Sequence, residues 1–178
     1  MKTGFIIAAI LVAAVTAGQW TVQRNASVRT KKEGLFYRVT RVCDGDTIKL
    51  DNGERVRLIG IDTPESHENP KLERDVRHLR TSKNVLLAMG RQASDFSRDL
   101  LLDKDVRLEF DVEQRDRYQR LLAYVYLADG TFVNEKIIRE GYAYPLTVPP
   151  NVRFADQFKQ WFDEAREEKK GLWGNQSN

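Results

Sequence analysis

The sequence predicts an α+β fold that is mainly β, a small barrel of five strands with about three helices packed around it. Three observations support this fold class. The 178 residues, with 41% hydrophobic content, suit one globular domain with a sizeable core. Five short runs are rich in β-branched, aromatic or alternating apolar side chains. Three other segments repeat apolar side chains at helical spacing.

The strands follow one another along the first two thirds of the predicted domain. Residues 35–42 form the first strand, and residues 47–50 and 56–61 form a hairpin. Asp51-Asn52-Gly53 joins the two hairpin strands, because an Asn-Gly pair tolerates positive φ. Residues 106–111 and 121–127 then complete the five strands.

The helices are predicted from apolar side chains that recur three and four positions apart. They cover about residues 90–102, 133–141 and 153–170. Gly141 is placed to end the second helix. In the third helix the aromatic side chains fall on one face, so we expect them to pack against the barrel and not to stack on bases.

The first 19 residues form a separate segment. Lys2 precedes an apolar run over residues 4–18, which is typical of a signal peptide and predicts export to the periplasm or the medium. An uncleaved membrane anchor is the alternative, because the run extended to Val22 approaches the roughly 20 residues that span a bilayer. Residues 20–34 form a linker, residues 35–173 the folded domain and residues 174–178 a polar tail.

Acidic side chains stand at both ends of the predicted hairpin. Asp44 and Asp46 enter its first strand, and Asp62 and Glu65 follow its second strand. Because a hairpin brings its outer ends together, the four carboxylates should gather at one sheet edge with Arg57 on the strand between them. Like charges this close require a cation, and oxygen ligands without a His or Cys cluster favour Ca²⁺ or Mg²⁺ over Zn²⁺.

The most basic stretch of the chain follows these acids. It has Leu72, Val76 and Leu79 at helical spacing, with Asn69 as a candidate cap and Pro70 in the first turn. The net charge of +3 permits a polyanionic partner without requiring one. We predict that this stretch is an arm that holds substrate, the alternative being a solvated surface. The predicted substrate contacts are Lys71, Arg74, Arg77, Arg80 and Lys83.

Four motifs in order carry a resemblance to a known family. They are Asp44-Gly45-Asp46-Thr47 followed by Arg57-Leu58, then Asp62-Thr63-Pro64-Glu65, then Asp116-Arg117-Tyr118-Gln119-Arg120-Leu121-Leu122-Ala123-Tyr124, and finally Phe132-Val133-Asn134-Glu135 with Arg139-Glu140-Gly141. Together they resemble the staphylococcal nuclease (thermonuclease) family over about residues 34–173. The combination is far more specific than any one motif.

The resemblance implies a fold, an activity and a cofactor. The fold is the oligonucleotide/oligosaccharide-binding barrel, which binds chains across one face. The activity is cleavage of DNA and RNA with little sequence specificity to give 3′-phosphate ends, with Ca²⁺ as cofactor. Asp46 and Asp62 would bind Ca²⁺ through their carboxylates, and Thr63 through its backbone carbonyl. We expect a monomer.

The resemblance also implies the catalytic residues. Glu65 would orient or deprotonate the attacking water, and Arg57 and Arg120 would hold the scissile phosphate with planar guanidinium forks. Gln119 departs from the family pattern, because the best-known members have Gly before the second arginine. Two other functions are weighed: a catalytically silent nucleic-acid-binding module, and an interaction protein with a structural Ca²⁺ site. Neither explains why both arginines and all the acids are present together.

Overall fold

The computed structural model describes residues 29–31, 34–79 and 81–174 of the chain. The predicted signal peptide or anchor, most of the linker, Arg80 and the end of the tail lie outside these described residues. Within the described ranges, no helix is both long enough and apolar enough to cross a membrane.

Five strands close into a barrel, as the sequence predicts. The described residues form eight strands, of which β2, β3, β4, β6 and β7 make the barrel: β1 Arg29–Lys31, β2 Gly34–Asp44, β3 Thr47–Leu50, β4 Arg55–Leu58, β5 Gly60–Asp62, β6 Asp105–Glu109, β7 Leu121–Leu127 and β8 Tyr144–Leu146. The order β2-β3-β4-β7-β6 returns to β2, because β6 also pairs with β2. The β4–β7 pair is parallel, and the other barrel pairs are antiparallel. Strand β1 extends the sheet beside β2.

The predicted hairpin is present with the predicted turn. In β3 and β4, Thr47 lies opposite Arg57, and Gly53 in the turn has φ of 89°. Its amide donates to the Leu50 carbonyl at 3.0 Å. The register brings residues just before β3 next to residues just after β4, which is where the acidic motifs lie.

The prediction that residues 56–61 form one continuous strand, the second strand of the hairpin, is wrong. The chain breaks after Leu58, and β5 begins at Gly60, where φ is 83°. A Cβ at Gly60 would lie 2.0 Å from the Phe158 ring, so a side chain could not be placed there. The buried Asn134 side chain donates to the Ile59 carbonyl at 2.8 Å and fixes the break. Strand β5 therefore leaves the barrel and pairs with β8.

Four α-helices surround the barrel in the described residues, one more than the predicted three. They are α1 Pro70–Leu79, α2 Lys83–Leu101, α3 Val133–Arg139 and α4 Ala155–Glu167, and a short 3₁₀ turn, Gly171–Trp173, follows α4. The additional helix is α1, over the stretch where helical spacing was noted. The predicted cap is correct, because Asn69 Oδ1 accepts from the amides of Lys71 and Leu72 at 2.9 Å each.

Helix α2 begins seven residues earlier than predicted, at Lys83 and not at residue 90. Ser82 caps it by accepting a hydrogen bond from the Val85 amide at 3.3 Å. The first turns were missed because residues 85–89 are apolar without interruption, so the buried Leu86, which continues the stripe of the later turns, is not distinguished from exposed neighbours such as Val85.

The core confirms the packing role of the aromatic face of α4. Phe158 is buried, and Trp161 and Phe162 are partly buried against the same core. Phe158 lies within 6.5 Å of the buried Tyr124 ring of β7. This layer places α3 and α4 together on the barrel and leaves the acidic loops near α1 and α2.

Candidate active site

The hairpin and the chain after it bring Asp46 and Thr63 into direct contact. Asp46 is buried, and its Oδ2 accepts from the Thr63 amide at 3.0 Å and from the Thr63 hydroxyl at 3.2 Å. The other oxygen, Oδ1, accepts from the Thr47 hydroxyl at 2.9 Å. The two acidic motifs are therefore tied together by hydrogen bonds and not only by proximity.

Arg57 lies between the two aspartates that the resemblance assigns to the cation. Its guanidinium is 3.1 Å from an Asp46 oxygen and 2.8 Å from an Asp62 oxygen. It also donates to the Ile61 carbonyl at 2.7 Å and to the Leu58 carbonyl at 3.1 Å. Four acceptors hold a side chain that is only 13% exposed, so the fork has one fixed orientation.

Helix α2 supports both acidic loops. The Ser97 hydroxyl donates to the Gly45 carbonyl at 2.6 Å, between Asp44 and Asp46. A Cβ at Gly90 would lie 2.1 Å from the Glu65 carbonyl oxygen, so the helix backbone packs directly on Glu65. A glycine inside a helix costs about 1 kcal/mol relative to alanine, and here its small size permits this close approach.

Glu65 is held from both sides by the start of α1. Asn69 Nδ2 donates to Glu65 Oε2, while Asn69 Oδ1 caps the helix. Lys71 Nζ lies 2.9 Å from the other oxygen, Oε1. One amide side chain thus joins the helix N-terminus to the predicted catalytic glutamate.

Lys71 lies inside the acidic site. Its ammonium contacts Asp62 Oδ2 at 2.9 Å and the Thr63 carbonyl oxygen at 3.1 Å, in addition to Glu65. Sequence analysis assigns Lys71 to a substrate-holding arm. The structure places it against three of the residues predicted to bind the cation or the water.

Arg120 reaches the same site from the loop before β7. Its Nε donates to Asp116 at 2.7 Å, and its Nη1 lies 3.4 Å from the Thr47 hydroxyl. Arg57 and Arg120 line one cleft of about 350 Å³. The rest of the cleft wall is formed by Leu58, Ile59, Gly60, Ile61, Glu113, Asp116, Arg117, Tyr118, Leu122, Leu146, Val148 and Asn151.

The acidic site holds more carboxylates than cations, because in the described part of the chain Asp44, Asp46, Asp62 and Glu65 are accompanied by only two paired cations, Arg57 and Lys71. Burial alone would raise the pKa of Asp46, but the Arg57 charge and the Thr63 amide outweigh burial and lower it. Burial raises the pKa of Asp62 despite its two cationic neighbours, with Asp46 adding to the effect. Burial and the charges of Asp46 and Glu65 raise the pKa of Asp44 to about 6. A further cation would therefore be favoured here.

The residues present fit a hard divalent cation. All the donors are oxygens, and the Lys71 ammonium already lies as a positive group against Asp62 and the Thr63 carbonyl. No three His, Cys, Asp or Glu side chains are grouped closely enough to hold a metal ion by themselves in the part of the chain that the structure describes. A cation bound by Asp46, Asp62 and the Thr63 carbonyl would need water and substrate oxygens to complete its shell.

Comparison with known proteins identifies the family. The profile described as "Staphylococcal nuclease homologue" matches residues 55–175. The chain is 34% identical to "Thermonuclease" of Staphylococcus hyicus over 98% of each chain, and 38% identical to "Thermonuclease" of Staphylococcus intermedius over 81% of this chain and 79% of that one. It is 34% identical to "Endonuclease YncB" of Bacillus subtilis (strain 168) over 86% of this chain and 69% of that one.

The chain belongs to the staphylococcal nuclease family. It is accordingly a phosphodiester hydrolase of the nuclease class, and its closed five-stranded barrel is an OB-fold.

Gln119, the departure from the family pattern, adopts the backbone conformation that a glycine would favour. Its φ is 62°, in the left-handed region, where a side chain costs roughly 1–2 kcal/mol. The turn is held by Asp116, whose side chain accepts from the amides of Tyr118 and Arg120 at 2.9 Å each. In this nuclease the turn therefore keeps Arg120 directed at Thr47 even without the glycine.

The other predicted arm residues are distributed along α1 and the start of α2. Arg74 and Arg77 are exposed on α1. Lys83 instead contacts Glu68 at 2.8 Å and Glu73 at 3.0 Å. Arg80 lies outside the described residues. Among the predicted arm residues that the structure describes, Arg74 and Arg77 are therefore the two that face solvent in this nuclease.

Sequence reasoning missed the residues that position the site. Asn69 was predicted as a helix cap, but its contact with Glu65 was not. Gly90 and Ser97 were read only as part of a helix, although a mid-helix glycine is itself a signal of close packing. The exposed apolar side chains at the cleft, Tyr118, Leu146 and Val148, were also missed, because single apolar residues in loops or at the end of a three-residue strand give no periodic pattern.

Proposed function

We propose that this nuclease cleaves DNA and RNA in a Ca²⁺-dependent reaction, with little sequence specificity and with 3′-phosphate products. One observation carries the proposal. Two arginines that face one cleft adjoin a group of four carboxylates, which outnumber the two cations paired with them among the described residues, Arg57 and Lys71. A nuclease needs both parts, because attack on a phosphodiester builds negative charge on the phosphoryl oxygens.

Asp46, Asp62 and the Thr63 carbonyl would hold the Ca²⁺. When bound, the ion would supply Lewis-acid stabilisation of the negative charge that develops on phosphate. Thr47 and Thr63 keep the Asp46 carboxylate in place through three hydrogen bonds. The flexible coordination that this mixture of side-chain and backbone oxygens offers suits Ca²⁺ better than Mg²⁺, which demands near-octahedral geometry.

The chain's own residues then perform the substitution at phosphorus. Glu65 orients a water or accepts its proton, and the water oxygen forms a bond to phosphorus. The bond from phosphorus to the 5′ oxygen breaks, and that oxygen takes a proton from a solvent water molecule as it leaves, so the phosphate remains on the 3′ side. Arg57 and Arg120 donate to the phosphoryl oxygens as charge accumulates there.

The proposal is tested with the full chain on single-stranded DNA and on RNA of mixed sequence. We expect both to be cut in Ca²⁺, with Mg²⁺ supporting much slower turnover, and we expect product ends that a 3′-phosphatase converts to hydroxyls. Equal turnover with the two ions would contradict the cation assignment. Binding of nucleic acid without cleavage at any Ca²⁺ concentration would favour the silent module instead.

We further propose that Arg74 and Arg77 form the part of the arm that contacts distant phosphates. Both are exposed on α1, which begins at Pro70 close to Glu65. Contacts made away from the reacting phosphate bind ground state and transition state alike, so they affect KM and not kcat.

Replacing Arg74 and Arg77 together by Gln should raise KM on a long single strand and leave kcat within about twofold. The slope of log KM against log salt should fall by about 1.4, because each of the two lost phosphate contacts contributes roughly 0.7 to it. The matched control replaces Lys136 and Lys159, which are exposed cations on α3 and α4. If both double variants change KM equally, net charge and not an arm explains the effect.

We also propose export of this nuclease, on the basis of the apolar run at residues 4–18. Mass spectrometry of the protein recovered from the medium or periplasm would show whether that run is removed. An intact N-terminus in a membrane fraction would support the anchor instead.

A further inference from the structure

The Lys71 ammonium occupies a position lined by oxygens. It lies 3.0 Å and 2.9 Å from the two Asp62 oxygens, 2.9 Å from Glu65 Oε1 and 3.1 Å from the Thr63 carbonyl oxygen. Four oxygens from three residues around one positive group resemble a coordination shell more than a simple surface ion pair. Two of the three residues, Asp62 and Thr63, are proposed cation ligands.

The position of Lys71 is determined by the start of α1. Its amide is bound by the Asn69 cap, and the neighbouring Leu72 is buried in the structure. The backbone at Lys71 is therefore fixed, while its four methylene groups allow the ammonium to move. Its side chain is 29% exposed, so a path to solvent exists.

A divalent cation bound to the same oxygens would repel the ammonium strongly. The reason is that two positive charges a few ångströms apart in a partly buried site are screened much less than they would be in bulk water. Asp62 and the Thr63 carbonyl cannot serve both cations at contact distance. Arg57 shares Asp62 Oδ1 with Lys71, but its guanidinium is also held by Asp46 and by the Leu58 and Ile61 carbonyls, so its position does not depend on Asp62 alone.

We propose that Lys71 is an internal competitor of the divalent cation and sets the affinity of the site for it. In the cation-free protein the ammonium neutralises Asp62 and Glu65, and cation binding displaces it towards solvent. The proposal rests on the proposed Ca²⁺ requirement, but it concerns binding and not chemistry. If Lys71 occupies the site in about nine of ten cation-free molecules, the apparent Kd for Ca²⁺ is raised about tenfold.

The first test measures Ca²⁺ binding to the full chain without nucleic acid, by calorimetric titration after chelator removal. Lys71→Met should lower the Kd for Ca²⁺ by about tenfold and should enlarge the rise in Tm that a fixed Ca²⁺ concentration produces. Lys83→Met is the control, because Lys83 pairs with Glu68 and Glu73 and with none of the proposed cation ligands. Lys71→Gln repeats the measurement if the methionine variant does not fold.

The second test uses the unaltered protein. Brief acetylation followed by mass spectrometry should modify Lys71 slowly in chelator and faster in saturating Ca²⁺, relative to Lys136, which lies on α3. Unchanged or weaker Ca²⁺ affinity in both Lys71 variants, or acetylation of Lys71 that is independent of Ca²⁺, would overturn the proposal.

These outcomes are separate from the test of function. Tighter Ca²⁺ binding by Lys71→Met in a protein that cleaves nothing would support the competitor and reject the nuclease mechanism. Ca²⁺-dependent cleavage, together with equal Ca²⁺ affinities in the parent and in Lys71→Met, would support the nuclease mechanism and reject the competitor role of Lys71. A rise in KM for nucleic acid with unchanged Ca²⁺ affinity would assign Lys71 to the substrate arm and overturn the competitor role.

Discussion

Replacing Arg57 by alanine is expected to lower kcat for phosphodiester cleavage by about 10²- to 10³-fold. The reason is the loss of a preorganised donor to the charge that develops on phosphate. The effect should be at the upper end of this range, because Arg57 also pairs with Asp46 and Asp62 and donates to the Ile61 carbonyl. Without Arg57 the two carboxylates lose a shared counter-charge.

The measurement is single-turnover cleavage of a labelled oligonucleotide at saturating Ca²⁺, with the fold of each variant checked by circular dichroism. Arg57→Lys keeps the charge but not the fork, and it should recover little activity. Arg55→Ala is the control, because Arg55 lies on the same strand and is exposed. A kcat for Arg57→Ala within threefold of the parent would contradict a direct role for Arg57.

Replacing Arg120 by alanine is also expected to lower kcat by about 10²- to 10³-fold, which is the second large effect. Arg120 lines the cleft together with Arg57, lies within 3.4 Å of the Thr47 hydroxyl and is oriented by its bond to Asp116. It makes fewer contacts with the acidic site than Arg57, so folding should be affected less. The expected loss is therefore a loss of rate with little change in the free energy of unfolding.

Arg117→Ala is the matched control for Arg120→Ala. Arg117 is exposed in the same loop and lies over the Tyr118 ring at 4.8 Å. Single-turnover cleavage rates of the two variants show which of the two arginines acts on the phosphate. If Arg117→Ala loses the activity and Arg120→Ala keeps it, the loop presents a different arginine to the phosphate than the motif implies.

The parts of the fold that sequence predicted depend on local signals. The hairpin follows from two short strand runs and from the Asn52-Gly53 pair, and the structure has the turn and the register that place Asp46 near Thr63. The helix cap at Asn69 follows from residue type and from the adjacent Pro70. In each case the residues that decide the structure lie within a few positions of one another.

The parts that sequence missed depend on contacts between distant residues. Strand β4 ends early because Gly60 packs on Phe158, which lies nearly one hundred residues later. Lys71 has the same local pattern as Arg74 and Arg77, yet its ammonium lies among acids while the other two face solvent. Nothing in the spacing of these cations distinguishes them, because a lysine side chain reaches either environment from the same helical turn.

The most direct test of the nuclease mechanism is the rate of cleavage of single-stranded DNA by the full chain as Ca²⁺ is removed and restored. A variant that combines Arg57→Ala with Arg120→Ala, purified in the same way, measures any contaminating nuclease. We expect cleavage in Ca²⁺, its loss in excess chelator, its return when Ca²⁺ is added back, and none from the double variant. Cleavage that persists in chelator, or equal cleavage by the double variant, would contradict the mechanism.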